Sequence, residues 1–172
     1  AQASPAELMA ELRTVGPRAI ATRQRLPAIL RALRLPFPVI GLARLDYLTD
    51  LIYPRDMWMH RLDICRATGR EMVQTAEHDG RIVALVVRDL GQTLARRLKG
   101  AAVVYELTGP AGGAWRIGSS APAATIRMDT LDFNLLASGR LTPGDARARP
   151  DTAVSGDPNV AAWALDNTSV LY

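Results

Sequence analysis

The sequence predicts an α+β chain, a helical part followed by a small antiparallel sheet packed with helices. Three observations support this. Apolar residues recur at helical spacing up to about residue 98, they alternate as in strands from Ala101 to Met128, and cap signatures mark two further helices after that. At 172 residues there is room for one ordinary domain or two small ones.

Ser4-Pro5-Ala6-Glu7 has the form of a capping box with proline at the first helical position, so a helix begins there, and Gly16-Pro17 is expected to break or kink it. A second helical piece from Pro17 to about Leu35 is expected to stop at Pro36-Phe37-Pro38, a loop, because residues before proline avoid the helical region. From Leu45 to Thr68 the spacing is helical again, with a kink expected at Pro54 and Gly69 as a terminal cap. After a connector, another helix runs from about Glu77 to Leu98, where Arg96, Arg97 and Lys99 suit the negative end of its dipole. Ala101–Thr108, Ala114–Ile117 and Ala123–Met128 then read as a meander. Asp129 caps a helix ending at Gly139, a strand is expected near Thr152 to Ser155, and Gly156-Asp157-Pro158 opens a last short helix. No internal repeat or low-complexity tract is present.

Composition narrows the function classes. The chain is 48% apolar and 22% charged, as in a globular protein, and contains no apolar run approaching the roughly 18 to 20 residues of a membrane span. It opens on no secretory signal, and its single cysteine, Cys65, cannot form an intrachain disulfide, which favours a reducing cytoplasm. The formal charge of +4 is uneven: residues 1–70 hold eleven arginines against six acids, the remainder ten bases against eleven. Seven arginines and no acid lie between Leu12 and Leu45. On a helix the first six would point all round the axis, and stacking aromatics are absent, so a nucleic-acid partner is not expected.

One segment is chemically loaded: the run from Tyr53 to Arg70, YPRDMWMHRLDICRATGR. On a helix Asp56, His60 and Asp63 share a face, bordered by Met57 and Ile64 on one flank and by Met59 and Leu62 on the other. That pattern is expected to point inward, where carboxylate and imidazole need partners. Asp-x-x-x-His gives two metal ligands one turn apart, but the spacing equally suits a buried histidine hydrogen-bonded to Asp56 or Asp63 and to arginines, the commoner arrangement. Cys65 reads as a small core residue, His78 as a solvated helix start, and Trp58, Trp115 and Trp163 as core or contact residues.

The run from Arg55 to Arg70, together with Glu77-His78-Asp79-Gly80-Arg81-Ile82-Val83, Thr108-Gly109-Pro110-Ala111-Gly112-Gly113-Ala114-Trp115 and Ile126-Arg127-Met128-Asp129, resembles the mycothiol-dependent maleylpyruvate isomerase family of actinobacteria. The resemblance covers nearly the whole chain. It implies that residues 1–74 are the C-terminal part of a DinB-like metal-binding helical bundle and residues 75–172 a sterol-carrier-like α+β domain. In that family a carboxylate and a histidine one turn apart on the last bundle helix bind a metal with a second histidine from an earlier helix. Asp56 and His60 match the pair. The earlier histidine has no counterpart, since His78 lies beyond the matching helix. With the start at Ala1, this leads us to expect that an N-terminal part is absent.

The resemblance further implies a divalent metal, zinc first, and mycothiol as cofactors of a cytoplasmic isomerase or thiol transferase acting on a small electrophilic substrate, with a homodimer as an allowed assembly. The alternative is a non-catalytic binding module whose C-terminal domain holds an apolar ligand among Val103, Tyr105, Ile126, Phe133 and Leu136. Simple core packing is the competing reading of those five residues.

Overall fold

A computed structural model describes residues 3–38 and 41–172. They form an α+β structure that divides into two compact units, residues 1–53 and 54–172. The division falls at the start of the helix Tyr53–Thr68.

In the first unit, α1 (Pro5–Gln24) begins at the expected capping box, with Ser4 N donating to Glu7 Oε2 at 2.7 Å and Glu7 N to Ser4 Oγ at 3.3 Å. It runs through Pro17 without the break that Gly16-Pro17 suggests. Gly16 removes one obstacle, since the proline ring also crowds the Cβ of the residue before it and glycine has none, although the hydrogen bond that Pro17 cannot donate is still lost. The second expected helical piece, Pro17 to about Leu35, is divided: its first part completes α1, α2 (Ala28–Arg31) follows, and its end enters a two-stranded ribbon, β1 (Arg34–Phe37) paired antiparallel with β2 (Gly41–Arg44). Pro27 ends the helical path, and the extended bias imposed on Leu35 by Pro36 favours a strand over the expected loop; proline is tolerated in an edge strand.

Helical structure from Leu45 to Thr68 follows the expectation. It comprises α3 (Leu45–Tyr47), a π-helical stretch (Leu48–Ile52) and α4 (Tyr53–Thr68). The irregular stretch falls where Pro54 has no N–H to donate to the preceding turn. Gly69, at φ 67°, lets Arg70 N reach back to Cys65 O at 2.9 Å and closes the helix.

The second unit continues with α5 (Asp79–Arg97), β3 (Ala102–Thr108), β4 (Gly113–Ile117), β5 (Pro122–Asp129), α6 (Thr130–Ala137), α7 (Pro143–Arg147), β6 (Ala153–Gly156) and α8 (Pro158–Asp166). The strands do not form a meander. Their order is β4-β3-β5-β6, with β5 parallel to β3 and the other pairs antiparallel. Burial explains the order, because β5 buries Ala124, Ile126 and Met128 and takes a central place, whereas only Ile117 of β4 is buried and β4 lies at the edge. The chain passes from β4 to β5 beneath the start of β3. There Gly118, at φ 105°, approaches so closely that a Cβ would stand 2.8 Å from Ala102 Cα.

Ile82, Val83, Val86, Val87, Leu90 and Leu94 of α5 join Phe133 and Leu136 of α6 and Ala161, Ala164 and Leu165 of α8 in one core with the sheet. The five residues weighed as an apolar-ligand pocket all belong to this core. Tyr105 meets Phe133 edge-on at 5.5 Å, and its hydroxyl shares a 2.8 Å hydrogen bond with Thr168 Oγ1. No helix among the described residues is long and apolar enough to cross a membrane.

Candidate functional site

The loaded segment forms α4, but its inward face is not the expected one. Arg55, Trp58, Met59 and Leu62, at i, i+3, i+4 and i+7, are the buried residues. Each polar member of that stripe has an anchor. Arg55 donates from Nη1 to Asp89 Oδ2 at 2.9 Å, with its guanidinium 5.7 Å from the Tyr172 ring. Trp58 Nε1 donates to Asp79 Oδ1 at 2.6 Å. Beside the stripe, Arg61 Nη2 donates to the same carboxylate oxygen.

Asp79 is the hub of this arrangement. Its Oδ2 accepts from Thr75 N at 2.6 Å, so one buried carboxylate ties α4 to the residues that lead into α5. Burial alone would raise its pKa, but the Thr75 backbone N–H, the Trp58 indole and the Arg61 guanidinium outweigh it and hold the carboxyl at about 2.

Asp56, His60 and Asp63 lie beside the buried stripe and separate into two arrangements. Asp63 is taken by Arg140, whose Nε and Nη2 donate to its two oxygens at 3.0 and 2.7 Å. Asp56 and His60 stay together, with Oδ1 and Nε2 3.4 Å apart and side chains 43% and 60% exposed. The apolar flanks explain the difference from expectation. Met59 and Leu62 enter the core, while Met57 and Ile64 on the other flank are 69% and 63% exposed, so the pair borders the core instead of entering it.

Two ligands at about 2.1 Å from a tetrahedral ion stand about 3.4 Å apart, so the separation and donor types of Asp56 and His60 suit a zinc-like cation. Among the described residues no group of three histidine, cysteine or acidic side chains could hold an ion. Asp63 is engaged by Arg140, and the exposed His78 imidazole lies 3.5 Å from Asp79. Cys65 is half-buried against the core and free, and Trp115 and Trp163 also pack on the core's margin.

Sequence reasoning missed the partners, Asp79 and Asp89. A signal was present: Arg55, Trp58 and Arg61 bring donors to one side of a helix, and the next helix carries two acids within an otherwise apolar face.

No family model and no curated protein matches the chain.

Proposed function

We propose that Asp56 and His60 are two ligands of a divalent cation, zinc first, in a mycothiol-dependent isomerase or thiol transferase that acts on a small electrophilic substrate. The observation that carries this reading is their 3.4 Å separation on an accessible helix face. Rigid support strengthens it. Arg55, Trp58 and Asp63 fix α4 on either side of the pair, so the two donors are held without needing to order the backbone at binding. The likeness of the run from Arg55 to Arg70 to the isomerase family supports the choice of thiol cofactor.

A bound zinc ion would keep a coordinated thiol in its nucleophilic thiolate form at neutral pH. Asp56 supplies negative charge and His60 a neutral nitrogen, a donor set that leaves the cation a net positive charge toward an anionic sulfur. A third protein ligand has to come from outside the described residues. A thiol-dependent reaction of this kind belongs in a reducing compartment, and we place the protein in the cytoplasm.

The test is turnover with excess zinc and mycothiol, using a cis-α,β-unsaturated keto acid and scoring the trans isomer and the thioether adduct separately. Activity is expected to require both additions and to disappear in His60→Ala. Turnover unaffected by His60→Ala, or indifferent to zinc, would overturn the proposal.

A further inference from the structure

A cleft of about 320 Å³ opens in the second unit where the end of α5 meets α8. Its lining includes buried Leu98, half-buried Val160 and Trp163, and the exposed Arg97, Lys99 and Asn159. The Arg97 guanidinium lies over the Trp163 ring at 5.5 Å. A guanidinium held through its face keeps its in-plane N–H donors free for an acceptor. Among the described residues, neither Arg97 nor Lys99 has an ion-pair partner, and the Asn159 side chain makes no hydrogen bond.

Lys99 adds a second observation. It is the chain's only lysine, and among the described residues it is the only one besides glycines with positive φ, at 48°. A position just past a helix end that ordinarily takes glycine here carries a cation at the mouth of an apolar cleft. The first-turn amides of α8 do not contribute, because Asn159 N and Val160 N already donate to Asp157 Oδ1 at 2.8 and 3.3 Å. An anion would therefore be met by side chains alone.

We propose that this cleft binds a small amphipathic carboxylate, with its apolar body on Trp163 and Val160 and its head between Arg97 and Lys99. At about 30 Å³ per non-hydrogen atom, the share of a water molecule in the liquid, the cleft takes a ligand of about ten such atoms. The site is independent of Asp56 and His60.

Octanoate is the probe, titrated at low ionic strength and followed through the three tryptophan indole N–H resonances, with Trp163 assigned from Trp163→Phe. The Trp163 signal is expected to shift saturably with a Kd of about 1 mM or tighter, while Trp58 and Trp115 stay in place. Acetate, which has the head without the body, and octylammonium, which has the body with the opposite charge, are each expected to bind at least about tenfold more weakly.

Lys99→Gly separates binding from folding. Glycine adopts this φ without strain, so the variant should melt no lower than the parent yet bind octanoate about tenfold more weakly. Arg97→Gln should show the same loss and serves if Lys99→Gly folds poorly. Equal binding of octanoate and octylammonium, acetate matching octanoate, or unchanged affinity in a folded Lys99→Gly or Arg97→Gln chain would overturn the proposal.

Discussion

Asp79 shows how a single side chain sets the geometry of α4. It is buried, accepts hydrogen bonds from Trp58, Arg61 and Thr75, and is held at about 2, well below the roughly 3.9 of an unfolded aspartate. A carboxyl whose folded pKa is depressed stabilises the protein fully above its unfolded value, and that contribution is lost as pH falls toward the folded one. The difference corresponds to about 2 to 3 kcal/mol. Asp79→Asn keeps the shape but not the charge facing Arg61, so in urea unfolding it is expected to cost about 2 kcal/mol at pH 7 and progressively less between about pH 5 and pH 2. A cost that does not change across that range would show that the charge is unimportant.

Among the elements, those whose ends are written in local chemistry were the most legible. Asp129 capping α6, Asp157-Pro158 opening α8 and Gly69 closing α4 all stand where the sequence places them, because a cap needs only its immediate neighbours. Helix α7 went unread, although Thr142-Pro143 carries a cap-and-proline start of the same kind. The order of the strands could not be read from alternation. Periodicity states which face of β5 is buried, not that it lies beside β3 and parallel to it. The candidate pair was legible as a spacing, but its direction was not, since apolar residues flank it on both sides and only Met59 and Leu62 of the two flanks enter the core. Burial also sets local stability. Helix α1 has no buried residue, whereas β3, β5 and α6 have many, so amide hydrogen exchange is expected to be fast throughout α1 and slowest in Tyr105, Ile126 and Phe133. Slow exchange in α1 would show that another surface protects it.

At the scale of the whole molecule, the chain joins a unit at 1–53, whose helix α1 carries the exposed apolar residues Leu8, Leu12 and Ile20, to a unit at 54–172 that contains the large core. Helix α4 serves two purposes in the second unit: one face closes the core, and the edge beside it presents Asp56 and His60. The proposed function requires this presented edge to bind metal. Zinc titration of the intact chain, followed by the imidazole resonances of its two histidines, tests it most directly. A saturable shift of His60 with His78 unmoved is expected, and affinity at least about tenfold lower in His60→Ala and in Asp56→Asn, since even outer-shell partners of a metal site cost about 10- to 100-fold. A shift confined to His78, or zinc binding unchanged by both substitutions, would contradict it.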